Sequence, residues 1–485
     1  MKRRSPSCFF LIAVVAALAV ALYLGLSAGQ YRNGYPLDDA WIHQTYARNL
    51  AETGAWTFAE GLPSAGSTSP LWTMLLTPAY LLGIPPLVWT SVLAMMQLLA
   101  GAWIGICWLE QRGSRWAGWV GIVMVAEWHL VWAGLSGMET LLMGLAALGF
   151  FLLLEDESTP PFLLGVWIGA AIWIRPDAIT LVGPLGWVIF FRTETSWTQR
   201  VRMAFVAAAG AAVLLLPYLL FNQAMSGEFW PTTFYAKQAE YAVLREMPFL
   251  RRLAAQFALP FIGVGALLAP GVLSGAYESA RRQAWSRLGP LLWVAGYLTL
   301  YAMRLPVHYQ HGRYAMPVLP TLLVLGWEGL AVTLKPSAEL FVSRLLSRVV
   351  LLAQGVVLFV FLFIGATAYA RDVAIIESEM VATAEWLRDE LPPGRLLAVH
   401  DIGAVGYFSG HRLVDLAGLV SPDVIPIIRD EAALAALLDE RGVDYLVTFP
   451  GWYPQLTGQA ERVYTTGASF SPEAGGENMA VYLWR

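Results

Sequence analysis

Charge is what this sequence has little of. Asp, Glu, Lys and Arg make up 14% of its 485 residues, where an ordinary globular domain carries about 25%, so a water-soluble fold is a poor fit. Basic residues never gather into a long run and the net charge is −4, which leaves nothing to attract nucleic acid. Cysteine is almost absent. Cys8 and Cys107 both fall inside apolar blocks, which excludes a disulfide framework and a cysteine metal site. The chain also lacks an internal repeat and a low-complexity tract.

Apolar sequence is abundant. It accounts for 57% of the chain, with a mean hydropathy of +0.55, and it gathers in blocks of roughly 20 residues, the length that crosses a ~30 Å hydrocarbon core. The 21 Trp and 19 Tyr residues suit membrane interfaces. The expected fold class is an α-helical polytopic membrane protein. Its helices, about eleven, are expected at about 8–28, 87–108, 116–134, 138–154, 161–174, 177–191, 203–222, 253–274, 288–304, 314–333 and 349–370. The first run is longer than the apolar core of a cleavable signal, about 7–15 residues, so it reads as an uncleaved transmembrane helix.

Positive charge then sets the orientation in the plasma membrane. Met1–Arg4 stay in the cytoplasm, and alternate loops carry Arg112 and Arg115, then Arg192, Arg200 and Arg202, then Arg281, Arg282 and Arg287, then Lys335, Arg344 and Arg348, as the positive-inside bias requires. Pro70–Leu82 is apolar but short, and Pro78 interrupts it; it reads as a helix lying in the interface. The outer face then receives the loop 29–86, the turns Ser136–Thr140 and Arg175–Asp177, the loops 223–252 and 305–313, and everything after 371. Residues 1–370 thus form a transmembrane domain. From 371 the composition changes, with Glu385–Leu391 and Glu431–Arg441 helical and Arg395–Val399, Leu413–Leu416 and Asp444–Phe449 extended. Residues 371–485 read as a small extracytoplasmic α/β domain.

The outer side holds the residues able to carry chemistry. The first outer loop has the pair Asp38-Asp39 at the start of an amphipathic helix that Gly54 closes. One reading makes an aspartate a helix cap. The other makes one carboxylate a general base on an acceptor hydroxyl while its neighbour holds a sugar or a divalent cation, since inverting glycosyl transfer needs a base opposite the leaving group. Glu139 is either a first-turn carboxylate favoured by the helix dipole or a site residue. Arg175 and Asp177 either pair across Pro176 or line a site, charges at membrane depth being costly and often functional.

Lys237, after Tyr235, is either solvated or a point charge for a phosphate. Arg313, beside His308 and His311, is either a snorkelling arginine or a bidentate phosphate ligand. The two histidines alone are weak evidence for zinc and suit hydrogen bonding or phosphate contact. Glu127 and His129 fit interhelix hydrogen bonds. Asp401 and Asp415 read as turn and strand-end residues, and Gly403, Gly406 and Gly410 do not make a dinucleotide fingerprint.

The first loop, with Asp38-Asp39-Ala-Trp-Ile, Tyr46-Ala-Arg-Asn-Leu50 and Ser67-Thr-Ser-Pro-Leu-Trp72, resembles the GT-C superfamily of membrane glycosyltransferases, closest to the branch of mycobacterial terminal arabinofuranosyltransferases. Ser136-Gly-Met-Glu-Thr140, Arg175-Pro-Asp177, Thr233-Phe-Tyr-Ala-Lys237, His311-Gly-Arg-Tyr-Ala-Met-Pro317 and the stretch His400–Gly410 are similar to later segments of that branch. The resemblance implies an inverting glycosyltransferase. Its donor would be a polyprenyl-phosphate-linked sugar and its acceptor an envelope glycan, lipid or protein.

Asp38 or Asp39 would be the base. Arg313, Lys237, Arg175 and His311 would hold the donor phosphate, and Glu139, Tyr235, Asp177 and His308 would line the substrates. No cofactor is implied with certainty; a divalent cation, if used, would sit on Asp38 and Asp39. The rival readings are a transporter or lipid flippase and a non-catalytic envelope scaffold. A transporter would place polar groups near the midplane in repeated halves, and a scaffold leaves the outer cluster of Asp, Glu, Arg, Lys and His unexplained.

Overall fold

The structure, a computed structural model, describes residues 6–59, 62–114, 116–193, 195–333 and 341–484. Met1–Arg4, Arg115 and Lys335, on which part of the orientation rests, lie outside the described residues, as does the side chain of Arg344. Among the described residues, five helices are long and apolar enough to cross a membrane: Cys8–Gln30, Pro86–Gln111, Trp197–Ser226, Gln310–Ala331 and Leu345–Glu390. Two bent pairs bring the number to seven. Ala117–Ala126 meets Trp128–Leu135 at 51°, and Phe249–Phe261 meets Val264–Arg281 at 105°. Thr140–Glu155, Pro161–Ile174 and Gly289–Arg304 are helices too, but each is shorter than the roughly 20 residues that span a bilayer alone.

The bends have local causes. The crossing expected at 253–274 is not straight, because Pro260 and then Gly263, at φ 92°, break the backbone ladder. The span expected at 116–134 breaks at Glu127, whose extended backbone stops one helix while its carboxylate accepts the Leu130 N–H that starts the next. His129 Nδ1 lies 2.8 Å from Glu127 Oε1, so this pair braces a bend instead of bridging two helices.

Glycines let neighbouring helices touch. A Cβ on Gly165 would meet the Ala207 carbonyl, and one on Gly210 would meet that of Phe162, the close approach that small residues provide in membrane bundles. On the outward side, Phe10, Leu18, Phe205, Leu220, Leu273 and Leu352 are exposed, as helices facing lipid require.

The last long helix does not stop at 370. It continues through a wide turn at Glu377–Val381 into Ala382–Glu390, so the start of the C-terminal domain is a rigid extension of the bundle. After the short first-loop strands β1 (Thr57–Ala59) and β2 (Leu62–Pro63), the domain supplies β3 (Leu396–Val399), β4 (Arg412–Asp415), β5 (Tyr445–Thr448), β6 (Glu461–Thr465) and β7 (Ala480–Leu483). Their order is β4-β3-β5-β7-β6. β3 runs parallel to β4 and β5, while β7 is antiparallel to β5 and β6. Leu434 and Leu438 of the helix Glu431–Arg441 pack with Val414, Leu446 and Leu456 into its core.

The domain sits on the first loop of the chain, the one between the helices Cys8–Gln30 and Pro86–Gln111. Gly54, at φ 71°, closes the loop helix Asp39–Thr53 by donating its N–H to the Leu50 carbonyl. Trp41 of that helix packs on Tyr407 and Phe408 at ring distances of 4.8 and 4.7 Å. Arg48 donates to the Tyr407 carbonyl at 2.8 Å.

Candidate active site

A cavity of about 800 Å³ opens between the helix bundle and the C-terminal domain. Asp38, Asp39, Lys237 and Arg313 line it, from segments far apart in sequence. The Arg313 guanidinium donates to Asp39 Oδ2 at 2.6 Å and Lys237 Nζ donates to the same oxygen at 3.0 Å. Both cations also donate to the Tyr314 hydroxyl, at 3.1 and 3.2 Å. Burial opposes the charge on Asp39, yet Lys237 and Arg313 hold its carboxyl well below the usual carboxylate range. Arg313 Nε and Nη1 are buried with no hydrogen-bond partner, an expensive state for a guanidinium.

Asp38 is differently placed. It makes no side-chain cap on its own helix. Instead its two carboxylate oxygens accept the N–H groups of Gly403 and Ala404 at 2.7 and 2.8 Å, so it clasps the first turn of the domain helix Ile402–Phe408. A Cβ on Gly403 would run into the Asp38 carbonyl and carboxylate. Gly403→Ala should therefore loosen the domain from the loop. Two buried hydrogen bonds are at stake, each worth about 0.5–1.5 kcal/mol. The expected result is faster protease cleavage near residues 395–410 and a lower unfolding temperature; unchanged proteolysis would show the clasp to be unimportant.

The clasp is also sensitive to pH. Burial raises Asp38 above the ordinary carboxylate range, with Asp401 adding to it and the two N–H groups opposing it. Burial likewise raises Asp401, with His400 pulling it back and Asp39, Glu240 and Asp415 pushing it up. The folded chain therefore holds protons here that the unfolded chain has already released. Stability should fall as pH rises from about 4 to about 8, by at most about 1.4 kcal/mol per pH unit per proton. Thermal unfolding across that window tests this, with Asp401→Asn expected to flatten the slope; an identical slope in the variant would contradict it.

The remaining expected site residues do not line the cavity. Arg175 and Asp177 pair at 2.9 Å, and the Tyr301 hydroxyl meets both, at 2.7 and 2.5 Å. Glu139 lies 3.6 Å from Arg175 and 3.5 Å from His43. This buried network backs the cavity wall, because the Tyr301 ring stacks on that of Tyr314 at 5.5 Å. His311 turns away to Asp372, 2.8 Å from Nε2, between Trp128 and Trp132. Its backbone and that of Gln310 adopt φ near 57° and 53°, which swings Arg313 inward and His311 outward. His308 is exposed on the surface. Tyr235 packs its ring edge-on to Phe234.

The motifs nevertheless converge on one place. His43 Nδ1 meets Ser67 Oγ at 3.1 Å, Trp72 donates to the Gly137 carbonyl at 2.8 Å, and Thr233 donates to the Gly66 carbonyl at 2.6 Å. Lining residues not assigned a site role from the sequence are Glu240, Tyr309, Gln310, His400, Trp452 and Tyr453. Asp401, read as a turn residue, also faces the cavity. Asp415 does serve a turn, accepting the N–H groups of Ala417 and Val420.

Solved structures share this architecture over its whole length. ArnT from Cupriavidus metallidurans bound to undecaprenyl phosphate matches with a TM-score of 0.61 at 16% identity, covering 98% of both chains. The fold is that of the GT-C glycosyltransferases. A second GT-C structure, the Archaeoglobus fulgidus oligosaccharyltransferase complex with Zn and sulfate, matches at TM-score 0.60 and 12% identity, covering 92% of this chain and 68% of that one.

Mycobacterial AftD matches at TM-score 0.46 and 17% identity over 39% of its own length, so the narrower likeness to the arabinofuranosyltransferase branch rests on the motifs alone. A family model described as "Domain of unknown function (DUF8728)" matches residues 365–482. No curated protein matches the chain. The residues present do not fit the zinc of the GT-C oligosaccharyltransferase. Both oxygens of Asp38 take N–H groups, Oδ2 of Asp39 takes two cations, and no group of three or more His, Cys, Asp or Glu is placed for a metal among the described residues.

Proposed function

We propose that this protein is an inverting membrane glycosyltransferase whose cavity takes a sugar from a polyprenyl-phosphate donor and passes it to an acceptor hydroxyl at the outer face of the plasma membrane. The observation that carries the reading is Arg313. Its Nε and Nη1 are buried without partners at a cavity wall, beside Lys237, which is the donor set a phosphate takes bidentately with a point charge next to it. Asp39 serves as their counter-ion. A donor phosphate entering between the two cations competes for them, and the Asp39 carboxyl then rises towards the range in which it accepts a proton.

The acceptor oxygen attacks the anomeric carbon as the bond from that carbon to the phosphate oxygen breaks. The electron pair leaves with the polyprenyl phosphate, stabilised by Arg313 and Lys237, and the acceptor proton passes to Asp39. Asp38 positions the loop through its clasp and does not touch substrate. Met74, Leu81, Leu82 and Val88 are exposed beside the cavity's loop, and Pro70–Leu82 lying in the interface would give the isoprenoid tail an apolar track. The N-terminus is cytoplasmic and the C-terminal domain extracytoplasmic.

The test is transfer by purified protein in membranes with a panel of radiolabelled polyprenyl-phosphate sugars. Release of polyprenyl phosphate coupled to a labelled product is expected. A panel without turnover, together with no binding of undecaprenyl phosphate, would overturn the reading.

A further inference from the structure

The cavity has two chemically different ends. Lys237, Arg313 and Asp39 form one. The other is built by the C-terminal domain and the Glu240 turn, and the donor phosphate does not need it. There His400 Nδ1 meets the Tyr453 hydroxyl at 2.7 Å and His400 Nε2 lies 3.3 Å from Glu240. Glu431 accepts the N–H groups of Gln455 and Leu456 at 2.8 and 3.0 Å, and Arg429 donates to the Glu240 carbonyl. Asp401 is the exception, since its Oδ2 is buried without a hydrogen-bond partner. Trp452, half-exposed, stands edge-on to His400 at 4.6 Å and packs on Phe449 at 5.0 Å.

Charges of both signs therefore line this wall. Glu240 has His400 beside it, while Glu431 and Arg429 have hydrogen-bond partners but no opposite charge among the described residues. An anionic ligand would meet Arg429 but would also face Asp401, Glu240 and Glu431. A cationic ligand would meet those three carboxylates but also Arg429 and His400, the imidazole pushed up in pKa by Glu240 and Asp401 against the opposing effect of burial. What remains is an acceptor-only oxygen, hydroxyl and imidazole groups, and a flat aromatic surface. That combination suits a neutral molecule with many hydroxyls and apolar C–H faces. A volume of about 800 Å³ lies in the upper part of the range of roughly 300–1,000 Å³ for ligand pockets, with room for a donor head group and a further sugar.

We propose that Asp401, His400 and Trp452 form an acceptor subsite for a neutral saccharide, in which Asp401 accepts a sugar hydroxyl and Trp452 stacks on a sugar face. This rests on the glycosyltransferase reading only in naming the ligand the acceptor; the binding itself is independent of it. The subsite would commit the enzyme to glycan acceptors over peptides and over phosphorylated or uronic-acid groups.

Saturation-transfer NMR on the full chain in nanodiscs tests the inference, with neutral gluco-, manno- and arabino-oligosaccharides as probes and glucosamine and uronate oligomers as cationic and anionic controls. Neutral oligosaccharides should bind, and both Trp452→Ala and Asp401→Asn should weaken them at least about tenfold, the scale of a lost hydrogen bond to a charged group. Lys237→Ala should leave saccharide binding unchanged while weakening undecaprenyl phosphate. Retained undecaprenyl phosphate binding in the Trp452 and Asp401 variants shows that they fold.

Absence of neutral saccharide binding, preference for either charged oligomer, or indifference to both substitutions would overturn the subsite. Loss of undecaprenyl phosphate binding in wild type with saccharide binding intact would instead overturn the donor assignment.

Discussion

Asp39→Asn should abolish sugar transfer, by about 10²–10⁴-fold, the range of general acid–base contributions, while donor binding holds or tightens. The second half distinguishes a base from a structural residue. In the wild type, Lys237 and Arg313 share the Asp39 carboxylate; in the variant both cations are available to the phosphate. Binding of undecaprenyl phosphate and single-turnover transfer, measured on the same preparation, should therefore move in different directions. Transfer within tenfold of wild type would remove Asp39 from the chemistry. Donor binding lost together with transfer would make Asp39 a scaffold for the cations instead.

Arg313→Ala has the other large expected effect. Removing one preorganised donor from developing negative charge costs about 10²–10³-fold in turnover, and here the ground-state phosphate loses its bidentate partner as well. Both donor affinity and turnover should fall. Arg313→Lys should not rescue them, because an ammonium cannot reproduce the planar fork. The variant also leaves Asp39 with Lys237 alone, so the salt dependence of donor binding should become shallower. Full rescue by Lys would show that position 313 supplies charge and no geometry.

The membrane class and much of the C-terminal domain were legible in the sequence because both rest on strong periodic signals. Helix Glu431–Arg441 and strands Leu396–Val399, Arg412–Asp415 and Tyr445–Thr448 lie where composition places them. Strands Glu461–Thr465 and Ala480–Leu483 are missed because one is largely exposed and the other is a short terminal strand. The bends at Glu127 and Gly263 were hidden inside apolar runs, where hydropathy carries no information on direction.

Within the site, the acidic pair, Lys237 and Arg313 were recognisable as unusual charges on loops that the positive-inside pattern puts on one side. Their roles were not separable by pattern. Asp38 and Asp39 are adjacent, yet a helix start points one at the C-terminal domain and the other at two cations. Trp452 had no signal, and His400 and Asp401, though inside the family-like stretch His400–Gly410, had no site role, because only the docking of the domain on the first loop brings them to the cavity.

The most direct measurement is a structure of the protein with undecaprenyl phosphate bound. The phosphate is expected against Arg313 Nε and Nη1 and Lys237 Nζ, with the Asp39 carboxylate released towards the acceptor side. A phosphate seated elsewhere, with the Asp39–Lys237–Arg313 cluster intact, would contradict it.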